Sequence, residues 1–360
     1  MLASLTQAKT DMKLKLHSRH WDVFGEQFIN RLQNADDLFN FRRSGLSHWF
    51  DDNNVEIDEK KIANYYASLI AMVGPDFFRA VAESTIGAPR TVNIGGADVD
   101  FNDLFLVYYA SQIRPFVPQN KKAVIVEIGG GYGGLGVKLK RLFPQATLVF
   151  ADLPEVNAVQ EYYVRRNFPD AKILTYQELK RSGAKLDSMT LSSYDFVILP
   201  GWLIEEFADD SADLVVNTRS MMEMDFEVIR FYFSHIQRVL RVNGFFYCVN
   251  RYEKSTVGYP IRIKDYPYDD RWYVAISTPS WRQPAIHIFG CVRTAHPAVN
   301  SARSVLERLR PFTHRDVISR LSEAWRIVLA MARDRMRESA LVNFFVRLTG
   351  YQKFRETTQM

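Results

Sequence analysis

The chain has 360 residues, 47% hydrophobic and 24% charged, a composition that excludes disordered, collagen-like and disulfide-stapled classes and leaves room for about two domains. Two cysteines, Cys248 and Cys291, offer no pairing framework, and the N-terminus has no apolar segment of the secretory kind, so a cytoplasmic protein with reduced thiols is expected. No window approaches the ~18 uninterrupted apolar residues of a membrane helix. The net charge of +5 is lopsided: residues 297–360 hold 12 of the 46 Lys+Arg and 6 of the 41 Asp+Glu, leaving 34 against 35 elsewhere.

In chain order, residues 1–118 read as helices separated by turns at Gly74-Pro75, Gly87 to Pro89 and Gly95-Gly96, with Pro115 and Pro118 as a linker. This region is expected to supply a lid or a dimer surface. Residues 119–296 change texture. AVIVEIGGG is a short apolar run ending in glycines, as a central parallel strand requires. A helix follows over Tyr132 to Leu142, then a strand at TLVFADLP and a helix over Glu155 to Asn167. Further strands are expected at YDFVILPGW, ADLVVN and GFFYCVNR, with an amphipathic helix over Asp225 to Leu240 before the last. WYVAIS and AIHIFGCVR are separated only by TPSWRQP, too short for a crossover helix, so they must pair antiparallel. The fold class expected is therefore α/β: a Rossmann-like, seven-stranded sheet, whose parallel strands finished by an antiparallel hairpin resemble the layout of class I methyltransferases. Residues 297–360 are expected to form a basic helical extension, where Leu321, Trp325, Val328, Leu329, Ala332 and Met336 recur at the spacing of one apolar stripe, a candidate homodimer contact.

The chemistry-bearing signal is Glu127-Ile-Gly129-Gly-Gly131-Tyr132-Gly133-Gly134. Glycines at a strand-to-helix turn let the backbone approach a ligand closely. Gly129, Gly131 and Gly134 also satisfy the dinucleotide spacing, which keeps an NAD-dependent oxidoreductase open as an alternative. Glu127 argues for a cation such as S-adenosyl-L-methionine, which carries an amino group and a sulfonium and no pyrophosphate. Asp152, 21 residues beyond Gly131 and followed by Leu153, ends the second strand, where a carboxylate accepts hydrogen bonds from ribose hydroxyls. Trp202, after the third strand, is a candidate cover for an adenine.

From Val124 to Tyr252 the chain resembles the bacterial sugar O-methyltransferases of natural-product and cell-surface polysaccharide pathways, through VEIGGGYGG, ADLPEV, VNTRSMMEM and VLRVNGFFYCVNR. The resemblance implies methyl transfer from S-adenosyl-L-methionine to a hydroxyl of a sugar or glycoside. Asn217 belongs to the cofactor side at the end of the fourth strand. Glu223 is the candidate general base, with Asp225 behind it, and Asn250 and Arg251 emerge at the same edge. Histidine is the usual alternative base: His235 and His287 read as structural, while His20 and His48 lie in N-terminal helices that are placed to fold over the site. Some sugar methyltransferases use a magnesium ion; only Asp209-Asp210 offers itself, and two adjacent acids in a loop read as solvated. A methyltransferase acting on RNA or another small molecule is the remaining alternative; the basic tail speaks for nucleic acid, the absence of an RNA module against it.

Overall fold

The computed structural model describes residues 2–11, 31–32, 34–43, 58–81 and 85–311. The chain divides into two compact units, Met1–Leu309 and Arg310–Met360, and every element below belongs to the first. The apolar stripe from Leu321 to Met336, and with it the dimer contact, lies outside the described residues, as do His20 and His48.

The core is an eight-stranded sheet. Its strands are β3 (Val124–Ile128), β4 (Thr147–Asp152), β5 (Ile173–Thr175), β6 (Phe196–Pro200), β7 (Ala212–Thr218), β8 (Leu240–Arg251), β11 (Trp272–Ser280) and β12 (Gln283–Arg293), in the spatial order β11-β12-β8-β7-β3-β4-β6-β5. From β5 to β8 all neighbours are parallel; β12 pairs antiparallel with β8, and β11 with β12. This is the Rossmann-like arrangement with a terminal hairpin that the spacing predicts, plus one strand. The extra strand, β5, is three residues long on the outer edge, too brief for periodicity to register.

Every residue of β3, β4 and β6 is buried, which explains their near-continuous apolar runs: helices cover both faces. One face carries the helices at Phe101–Ile113 (α5), Gly134–Leu142 (α6) and Pro154–Asn167 (α7); the other carries Phe226–Val239 (α10), whose Val228, Ile229, Tyr232, Phe233, Ile236 and Val239 recur at helical spacing and are buried. Among the described residues no helix is long and apolar enough to cross a membrane.

The region before β3 is not wholly helical. Gly95 and Gly96, read from sequence as a break between helices, form the turn of a hairpin between β1 (Thr91–Ile94) and β2 (Ala97–Asp100). Both glycines have positive φ, which a two-residue hairpin turn demands. Asp100 then caps α5 through the Asn102 N–H and pairs with the buried Arg42. Arg42 stacks over Tyr132 of the glycine turn, 4.9 Å from its ring centroid.

Candidate active site

Between β3 and α6 the chain makes the glycine turn. β3 has β4 on one side and β7 on the other, so this turn lies at the point where the strand order reverses and the loops at the strand ends part. A cavity of about 420 Å³ opens there, lined on one side by Gly129 to Tyr132, Ala151 to Leu153 and Val156, and on the other by Thr218 to Ser220, Met222 to Met224, Arg251 and Lys254. Leu106, Val228 and Tyr232 complete it.

Gly129 sits at φ +64, where an L side chain is strained. The space a side chain would take is filled by the protein itself: a Cβ would collide with Ser220 Oγ. The missing side chain thus lets the turn after β7 dock against the turn after β3. Glu127 lies beneath Gly130, whose added Cβ would stand 2.6 Å from the Glu127 carboxyl carbon. The carboxylate is 1% exposed, neither oxygen has a hydrogen-bond partner among the described residues, and it is not on the cavity wall. Burial, and then the nearby Asp152 charge, push its pKa up to about 8, against the pull of the Gly136 amide.

Asp152 ends β4 and does line the cavity. Its carboxylate accepts from the Leu153 N–H at 2.8 Å and from Gln160 Nε2 at 3.0 Å. Gln160 also donates to the Gly131 carbonyl, tying strand end to glycine turn. Burial raises Asp152 to about 7, the Leu153, Gly131 and Gln160 donors oppose this, and Glu155 adds to the rise. Tyr232 completes this end, its hydroxyl pushed above the usual tyrosine range by burial and then by the Asp152 charge.

The opposite wall hangs on two buried amides. Asn217 donates to the Ile128 carbonyl at 2.9 Å and to Ser220 Oγ, and accepts from Asn250 Nδ2 at 2.9 Å. Asn250 accepts from the Met222 N–H at 3.0 Å. The pair holds the 218–224 turn against both β3 and β8. Outward from it, Glu223 carries a carboxylate that is 2.5 Å from Lys254 Nζ. Arg219 stands at φ +65, its N–H donating to the Val249 carbonyl at 2.6 Å, and Arg251 lies at the end of β8.

Of the residues singled out from sequence, Gly129, Gly131, Tyr132, Asp152, Leu153, Glu223 and Arg251 line one cavity. The others do not. Gly133 caps α6 at φ +89 and packs on Phe150. Trp202, read as an adenine cover, is 6% exposed in the apolar core, edge-on to Tyr176, because β6 runs into the turn of 3₁₀ helix at Gly201–Glu206. Asn217 and Asn250 are buried struts, spent on the hydrogen bonds above. Asp225 stands just before α10 and accepts from the Tyr259 hydroxyl at 3.3 Å, off the cavity. His235 contacts Arg238, and His287 bonds Ser277 Oγ at 3.0 Å; neither lines the cavity.

Lys254, Arg219 and Tyr232 escape the sequence reading. Arg219 lies inside the VNTRSMMEM stretch, and Lys254 three residues past Arg251, so proximity in sequence is the signal that points to them. Asp209 pairs with Arg238 at 2.7 Å, and among the described residues no group of three His, Cys, Asp or Glu is placed to hold a metal ion.

No protein-family model matches the chain. No curated protein matches it. Solved structures are similar at a low level. A geranyl diphosphate C-methyltransferase from Streptomyces coelicolor A3(2), in complex with Mg2+, geranyl diphosphate and S-adenosyl-L-homocysteine, is 12% identical, with a TM-score of 0.36 over 67% of this chain and 99% of that one. A mitomycin 7-O-methyltransferase is 17% identical, with a TM-score of 0.33 over 66% of this chain and 67% of its own. At these values the likeness assigns neither a substrate nor a residue role.

Proposed function

We propose that this chain is an S-adenosyl-L-methionine-dependent O-methyltransferase whose acceptor is a sugar or glycoside hydroxyl. The observation that carries this is the cavity at the β3/β7 switch point, walled by the glycine turn and Asp152, in a sheet that ends in the antiparallel β11–β12 hairpin. A dinucleotide-binding sheet has no need of that hairpin, and the buried, unpartnered Glu127 suits a cation better than a pyrophosphate.

The residues present fit such a cofactor. Asp152 would accept from ribose hydroxyls, the Gly129–Tyr132 turn would present its backbone, and Glu127 would supply negative potential from beneath the turn. When bound, the cofactor supplies an electrophilic methyl group on a sulfonium. The chain's task is then placement: the 218–224 wall brings an acceptor oxygen to the methyl in line, and Glu223 takes the hydroxyl proton as it leaves. Lys254 keeps the Glu223 carboxylate on the wall. The C-terminal extension would serve a second copy of the chain.

The test is direct. S-adenosyl-L-homocysteine should raise the melting temperature while NAD does not, and labelled methyl should pass to a hydroxyl of a hexoside panel. A shift with NAD alone would sink the proposal.

A further inference from the structure

We infer that the acceptor carries a phosphate group, gripped by Arg219 and Arg251; this rests on the methyltransferase reading of the cavity. Four charged side chains stand on the acceptor wall: Arg219, Glu223, Arg251 and Lys254. Glu223 and Lys254 neutralise one another at 2.5 Å. Arg219 and Arg251 have no ion pair or side-chain hydrogen bond among the described residues. Burial holds the Tyr109 hydroxyl above its usual range, with the Arg219 charge and Ser280 opposing, so Tyr109 offers Arg219 no counter-charge. The wall therefore carries a net charge of two positive units.

The two arginines rise from adjoining strand ends. Thr218 on β7 is in register with Val249 on β8, Arg219 follows Thr218 and Arg251 lies two residues past Val249. Arg251 is exposed and Arg219 half-buried, so an acceptor filling the cavity would take water from the inner side of each guanidinium, and a neutral sugar would leave that charge only partly compensated. A phosphate monoester or diphosphate brings about two negative charges or more, and pairs of oxygens spaced to accept two parallel N–H bonds from a planar guanidinium. A carboxylate supplies one charge and answers one arginine. Arg219 adds a second sign: a bulky residue at φ +65 is a conformation that glycine would hold at lower cost, so the side chain stands there against backbone preference.

The experiment uses the full chain saturated with S-adenosyl-L-homocysteine, titrated calorimetrically with glucose 1-phosphate and with pyrophosphate, and with glucose and glucuronate as neutral and carboxylate comparisons. Both phosphate probes should bind at least about tenfold tighter than either comparison, with affinity falling as salt rises. Arg251→Gln and Arg219→Gly should each weaken the phosphate probes by about tenfold or more while moving homocysteine-ligand affinity by no more than about twofold. Arg219→Gly should also melt at or above the wild-type temperature, which a merely structural arginine would not allow. Glucuronate matching the phosphate probes, or variants that leave phosphate binding intact, would overturn the inference. So would an arginine variant that weakens the homocysteine ligand instead, since that assigns the arginine to the cofactor's own carboxylate. If wild type fails to bind the homocysteine ligand, the methyltransferase reading falls separately, and the same titrations on the unloaded chain still decide the phosphate site.

Discussion

On one side of the cavity the groups facing a ligand are main-chain atoms of a single turn, Gly129 to Tyr132, and one carboxylate, Asp152, at the end of the next strand. On the other side they are side chains from three places, 218–224, Arg251 and Lys254, held together by the Asn217–Asn250 amide pair. The first wall follows from local chain geometry and would survive most changes around it. The second exists only when β3, β7 and β8 are already side by side, so its chemistry depends on two buried amides that touch no ligand. The walls should therefore fail differently.

The largest effect belongs to the assembled wall. Glu223→Gln keeps shape and some hydrogen bonding but takes no proton, so methyl transfer should fall by ~10²–10⁴-fold with homocysteine-ligand affinity unchanged. Near wild-type turnover would move the base elsewhere. On the local wall, Asp152→Ala should erase most of the stabilisation conferred by the cofactor product, ~2.7 kcal/mol at a hundred times its dissociation constant. A full thermal shift in that variant would show that the glycine turn alone suffices.

Asn217→Ala tests whether the two walls are separable. It removes donors and acceptors from a buried network, so the fold should lose ~1–3 kcal/mol in denaturant titration, and both cofactor and acceptor binding should weaken together. Loss of acceptor binding alone would mean the glycine turn stands without its strut.

Asp152 on the local wall and Glu127 beneath it also set a pH dependence. Glu127 and Asp152 rise from 4.5 and 3.8 to about 8 and about 7, so between pH 4 and 8 the folded chain keeps protons that the unfolded chain releases. Stability of the unliganded protein should accordingly fall as pH rises through that window. Affinity for a cationic ligand should instead increase from pH 6 to 8, by up to about tenfold per unit for each group titrating. Calorimetry across that range checks this, and Asp152→Asn should flatten the lower part; a pH-independent affinity would remove these carboxylates from binding. The smallest effect is Asp225→Asn. Its side chain meets Tyr259 away from the cavity, so turnover should stay within about twofold.

Legibility from sequence divides along the same line. Glu127, Gly129, Gly131 and Asp152 stand out because a glycine turn after a buried strand and an acid at the next strand end are written in contiguous residues. Cys248 and Cys291 lie buried and unbridged on adjacent strands, with burial pushing Cys248 up to about 12. Trp202 misled because an aromatic at a strand end looks alike whether it faces a ligand or, as here, turns into the core. Asn217 and Asn250 were recognised as belonging to the site, yet their burial makes them supports, and no local pattern separates a strut from a contact.

By itself, the sequence determined the strand-and-helix alternation, the helix Phe226–Val239 to within a residue at each end, the antiparallel finish and the glycine turn. Each of these depends on periodicity, chain length or backbone freedom within a short stretch. Only the tertiary structure decided that Ser220 fills the space left at Gly129, and that Arg219 and Arg251 share a wall whose carboxylate, Glu223, is answered by Lys254. Those outcomes follow from which strand ends adjoin, since a charge or a cavity is a property of what lies across the sheet.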